Sequence, residues 1–242
     1  MNPLLQWPLL FLAGLVASTL AGVTGFGGAA VLLPVLVLVF GPRSAIPILT
    51  VAQLIGNGSR VWFNRGELQW RVVGWFALGG VPMALLGGYL FSVAPLPTLT
   101  RLLGGFLLLV VVLRHLPFKP VRTFPAPVFA GIGAGSSFLS ALLGSVGPIM
   151  APFFLAFGLV KGAYIGTEAL STVVMHVAKL IAYHQTAILT GRDLLIGLTF
   201  GPIMVYGSFL GKRIVDKLPE RVFIAIIEIV LITAGVQFLW RG

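Results

Sequence analysis

The chain has 242 residues, 58% of them hydrophobic and 9% charged, with a mean hydropathy of +1.05. A soluble domain carries about 25% charged residues, so this composition excludes a water-soluble fold and requires a membrane protein. The absence of cysteine excludes disulfides, thiol catalysis and cysteine-ligated metals, and the net charge of +10 fits basic loops gathered at one membrane face better than nucleic-acid binding.

The N-terminal stretch MNPLLQWPLLFLAGLVASTLAG lacks the positive n-region of a secretory signal, so it reads as a retained segment over 4–21. It runs into AGVTGFGGAAVLLPVL, Ala21 to Leu36, where four glycines fall between Gly22 and Gly28 and Pro34 follows. Polar breaks then delimit segments over 27–41, 44–62, 71–91 and 99–114, followed by 126–143, 147–159, 162–184, 193–211 and 221–240. A full span needs about 20 residues, so the segments over 27–41 and 147–159 are too short to cross comfortably. Each of these two follows a glycine cluster. Trp62, Trp70 and Trp75 suit interfacial belts, and Glu228 in the last segment suits an interhelical hydrogen bond.

The two sets of five segments align as copies. Ala13-Gly14 matches Ala130-Gly131, Gly25-x-x-Gly28 matches Gly144-x-x-Gly147, and Pro34 matches Pro152. Gly41 matches Gly158, Ala45 matches Ala163, Arg65 to Gly74 matches Thr190 to Gly197, and Gly80-x-Pro82 lies opposite Gly201-Pro202. An odd number of passes per half inserts the second copy upside down. The parity holds if the first two segments of each half are re-entrant hairpins. The basic residues test this independently. Strict alternation puts eleven of them, Arg60 and Lys161 included, on one side and Arg43, Arg101, Arg192 and Arg241 on the other, with Lys179 inside a segment. This places both termini outside the cytoplasm. The expected fold is therefore an all-α polytopic membrane protein, a single transmembrane domain made of inverted repeats over 1–122 and 123–242.

Inverted repeats whose helices break at matched positions are a transporter architecture, and the breaks point to the substrate site. A broken helix exposes free N–H groups and a positive dipole end, which suits an anion. Gly25, Phe26, Gly27 and Gly28 are then expected to face Gly144, Ser145 and Gly147 across one midplane site. The alternative for such glycines is tight helix packing through small residues. Duplication at matched positions favours the site.

The run G-x-x-G-F-G-G at Gly22 to Gly28 with Pro34 after it, the Gly147-Pro148 of the second copy and the Gly166-Thr167 pair resemble the TauE/SafE sulfite exporter family of membrane transporters. The resemblance covers essentially the whole chain. It implies two related halves and transport, mostly outward, of sulfite, sulfonates and related small anions. The second copy, SALLGSVGP, is poorer in glycine than the family pattern, and Glu168 stands beside Gly166-Thr167.

Polar residues inside the spans complete the expected site. Thr50, Gln53 and Asn57 share one helical face with Arg60 just beyond them, and the corresponding segment carries Thr167, Glu168, Ser171, Thr172, His176 and Lys179. Ionisable groups inside a membrane are costly and mark pathways by default. The expected substrate ligands are the glycine breaks with Gln53, Asn57, Thr167, Ser171 and Lys179; His176 and Glu168 are candidate proton carriers. The bland alternative has Lys179 snorkelling to water. The expected partners are a small anion, the bilayer of the plasma membrane and protons as coupling ion, with oligomerisation left open. No cofactor, metal or nucleic acid is expected. Three rival readings fit the residues less well or no better. An enzyme would need His176 to act with Ser171 or Ser140, and no motif links them; a structural membrane protein leaves the duplicated breaks without a purpose; an anion channel uses the same backbone donors as a carrier.

Overall fold

The computed structural model describes residues 3–25, 28–115 and 124–214, together with 232, 235–236 and 239–240. Among the described residues every regular element is helical: α1 (Pro3–Thr24), α2 (Gly28–Phe63), a 3-10 turn (Arg65–Glu67), α3 (Trp70–Val93), α4 (Leu96–His115), α5 (Val128–Leu143), α6 (Gly147–Ala156), α7 (Lys161–Gln185), α8 (Gly191–Thr199) and α9 (Gly201–Ile214). The stretches Gln6–Thr24, Gly28–Phe63, Trp70–Val93, Lys161–Gln185 and Gly191–Arg213 are long and apolar enough to cross a bilayer. The expected last segment, over 221–240, lies mostly outside the described residues.

At 36 residues α2 would be about 54 Å long if straight, well beyond the ~30 Å hydrocarbon core. It bends at Gly41, whose φ of 74° and ψ of 163° are non-helical. The cause is local: Pro42 disfavours helical backbone in the residue before it, and glycine accepts the positive φ that results. Arg43, just past the bend, donates to the carbonyls of Ser92 and Ala94 at 2.7 Å each, satisfying the end of α3. At the start of α8, Thr190 and Asp193 form a reciprocal capping box.

Lipid supplies no hydrophobic force between helices, so close backbone approach has to hold them together. α3 and α5 meet along such a seam: a β-carbon on Gly133 would overlap the Phe76 carbonyl, and one on Gly87 would lie 2.8 Å from the Phe138 carbonyl. α1 and α9 meet in the same way through Gly22 and Gly211. The first helix of each expected half thus packs on the fourth segment of the other. α7 lies against α2 and α3 with its polar face buried, and this brings Glu168, Thr172 and His176 up to the inner face of α2.

Candidate functional site

Two helix breaks of the same geometry frame the site. Gly25 ends α1 at φ +77°, with its N–H on the Ala21 carbonyl at 3.0 Å; Gly144 ends α5 at φ +81°, with its N–H on the Ser140 carbonyl at 2.8 Å. Positive φ is strained for any residue with a β-carbon, so glycine is required at both turns. Tyr164 covers the first break, its ring against Gly25 and its hydroxyl donating to the Thr24 carbonyl at 3.1 Å. Beyond the breaks α2 starts at Gly28 and α6 at Gly147, and both N-termini border one cavity of about 40 Å³. No side chain caps the N-terminus of α6. Pro148 has no N–H and the Ile149 N–H bonds to the Val146 carbonyl at 2.9 Å, so the Gly147 N–H and the helix dipole are what α6 turns on the cavity.

Arg60 supplies a cation to this cavity. The sequence suggests a loop arginine, but α2 continues to Phe63, and Arg60 is 4% exposed on the face it shares with Asn57 and Gln53. The helix ends one residue beyond the expected segment over 44–62, so Arg60 lies in its last turn, on the side of α2 that α7 covers. Its Nη1 donates to the carbonyls of Ala21 and Gly25, and its Nη2 donates to Asn57 Oδ1. Glu168 Oε2 lies 3.5 Å from Nη1, and Glu168 Oε1 accepts from Thr172 Oγ1 at 3.1 Å.

The amide of Asn57 must present oxygen to Arg60, because a guanidinium only donates. Its Nδ2 therefore points elsewhere, and it finds no acceptor among the described residues. Gln53 Nε2 and Arg60 Nε are likewise buried donors without acceptors, and His176 Nδ1 is buried without a partner. Buried donors are nearly always satisfied, so a cluster of unsatisfied ones around one cavity marks room for an acceptor.

Of the residues expected at the site, Gly25, Gly28, Gln53, Asn57, Gly144, Ser145, Gly147, Glu168 and His176 line this cavity. Phe26 and Gly27 lie outside the described residues. Thr167, Ser171 and Lys179 are buried but do not line it. Thr167 Oγ1 accepts from the Gln69 N–H at 3.0 Å, ahead of α3, and Ser171 donates to the Thr167 carbonyl at 2.9 Å. Lys179 is fully buried and donates to Ser140 Oγ at 3.1 Å, behind the cavity wall. It does not snorkel. Neither Ser140 nor Ser171 is bonded to His176 among the described hydrogen bonds, and no three His, Asp or Glu side chains among the described residues gather as metal ligands.

Arg60, Ser140 and Thr172 line the cavity although the expected site omits them. The signal for Arg60 was available, since it continues the i, i+3, i+7 polar face of Thr50, Gln53 and Asn57 by three residues. The lining also has a constant register. Gly25 and Gly144, Gly28 and Gly147, Gln53 and Thr172, and Asn57 and His176 are each 119 residues apart. Arg60 and Lys179 share this separation, as do Ala21 and Ser140, to which the two cations are respectively bonded.

The family model described as sulfite exporter TauE/SafE matches residues 10–238, nearly the whole chain. The chain belongs to the sulfite exporter TauE/SafE family. Neither the curated proteins nor the solved structures contain a match to it. Membership in this TauE/SafE family, with the apolar helices, makes the protein a polytopic membrane transporter and implies a small anionic substrate.

Proposed function

We propose that the protein is a secondary transporter of small anions, sulfur oxyanions or organosulfonates, that exports them across the plasma membrane from a site between the two helix breaks. One observation carries the reading. Two helix N-termini, one buried guanidinium and the unsatisfied donors of Gln53 and Asn57 converge on a single small cavity. Each of these features favours negative charge, and together they need no metal. The size of the space supports a compact ligand: about 40 Å³ stands against the at least 10–15 Å³ that one water needs, so it suits an anion of a few heavy atoms.

Inverted repeats over 1–122 and 123–242 are part of this reading. The 119-residue register of the lining and the matching α1–α9 and α3–α5 seams support a duplication. With Arg60 counted as a span residue, the basic residues divide ten to four, which still favours termini outside the cytoplasm.

The test is uptake into proteoliposomes of radiolabelled sulfite, with thiosulfate, sulfoacetate and chloride as competitors. Saturable sulfite flux with counterflow is the expected result, sulfoacetate and thiosulfate competing and chloride competing poorly. Flux without saturation or counterflow refutes the carrier, and no flux of any anion refutes the site.

A further inference from the structure

Arg60 does not depend on Glu168 for its position. Three neutral acceptors hold the guanidinium: the Ala21 and Gly25 carbonyls and Asn57 Oδ1. Glu168 makes no hydrogen bond to it; its Oε2 stands 3.5 Å away and accepts from no donor among the described residues. The carboxylate neutralises the arginine without anchoring it, and it does so from the wall of the cavity that the arginine also lines.

The other titratable or charged groups near Glu168 are few. α2 contributes Arg60, and α7 itself contributes Tyr164, His176 and, behind Ser140, Lys179. The lining from α1, α5 and α6 carries no titratable side chain. An anion that reaches Arg60 therefore meets a second negative charge a few ångströms away, on a side chain that is itself 2% exposed. Two like charges in one buried site are not both kept; a proton on one of them removes the conflict.

We propose, building on the anion-site reading above, that Glu168 is a displaceable counter-ion: the incoming anion takes over Arg60, and the Glu168 carboxylate accepts a proton as it is displaced. Anion and proton then bind together, and a monovalent anion crosses as part of an uncharged set. Thr172, which donates to Glu168 Oε1, holds the carboxylate beside the arginine when no anion is present.

The test uses methanesulfonate, a strong-acid anion whose own charge does not change between acid and alkaline buffers, so any pH dependence belongs to the protein. Binding to the full-length protein in detergent is read as thermal stabilisation across a pH series. In the wild type, the apparent affinity is expected to fall by about tenfold per pH unit through the alkaline part of the series. Glu168→Gln should flatten that dependence, and His176→Gln should keep the slope whatever it does to affinity. A pH indicator in weakly buffered wild-type protein should record about one proton taken up per methanesulfonate bound, which tests the idea even where Glu168→Gln fails to fold. A wild-type shift without pH dependence or proton uptake overturns the counter-ion exchange and leaves the anion site standing. An unchanged slope in Glu168→Gln, or a slope lost in His176→Gln, also overturns it. No shift at any pH overturns the anion site and this proposal with it.

Discussion

Replacing Arg60 with Met removes the guanidinium and keeps most of the side-chain volume. The Glu168 carboxylate, 2% exposed, is then left without its counter-ion, and the Ala21 and Gly25 carbonyls and Asn57 Oδ1 lose a donor. Breaking a buried ion pair from one side costs about 3–5 kcal/mol. For a chain of this length, about 1 kcal/mol moves the melting temperature by roughly 2–4 °C, so Arg60→Met should melt on the order of 10 °C lower. The double variant Arg60→Met with Glu168→Met removes both charges. It should recover about half of that loss and keep a deficit of about 1–3 kcal/mol from the carbonyls left without a donor. Stability is read from the intrinsic fluorescence of the five tryptophans, since a thiol dye has no cysteine to label. Transport is read as labelled sulfite uptake into proteoliposomes, corrected for the amount of folded protein. Neither variant should transport, because the cation that attracts the anion is absent from both. A double variant that regains both stability and uptake would falsify the assignment, since Arg60 would then serve only to neutralise Glu168.

A single cysteine placed at Gly242 in this naturally cysteine-free chain should react with a membrane-impermeant maleimide added outside intact cells, and protection there would sink the inverted-repeat topology. Lys179→Met should weaken sulfite binding by about fivefold, roughly 1 kcal/mol for a charge acting from behind the Ser140 wall, and unchanged affinity would reduce Lys179 to a packing residue. Gly25→Ala should destabilise more than Gly144→Ala. Both meet a positive φ worth roughly 1–2 kcal/mol, but the new β-carbon at Gly25 lies 2.6 Å from the Tyr164 ring, whereas at Gly144 it meets flexible Leu33 and Ile46 side chains at 3.2 and 3.3 Å. Equal melting temperatures for the two alanine variants would count against this account.

Gly28 shows where a reading of sequence stops. Its place in a glycine run beside a helix break suggests a position kept bare for a ligand. The residue does border the cavity, yet its missing β-carbon points at the Ala17 carbonyl, 2.5 Å from where that carbon would stand. Gly28→Val is therefore a test of α1–α2 packing. Sequence shows that a position must be small; the neighbouring helix decides which side of it must be empty.

Backbone chemistry is written locally, and that is why so much of the architecture can be read without coordinates. Apolar runs dictate helices because lipid leaves the backbone no other partners. Gly41 before Pro42 dictates a bend, and Gly25, Gly41, Gly144 and Gly158, paired by sequence alone, all adopt positive φ. The polar faces of α2 and α7 follow from helical periodicity in the same way. Which groups meet across those faces is not local. Arg60 at the end of an apolar run fits an interfacial loop as well as a buried turn, and only the packing of α7 on α2 sets it beside Glu168, 108 residues away. The same packing turns Thr167 away from the cavity toward the Gln69 N–H ahead of α3 and ties Lys179 to Ser140 on α5. A side chain's surroundings are set by helices distant in sequence, so the ion pair and the unsatisfied donors around the cavity belong to the tertiary structure alone.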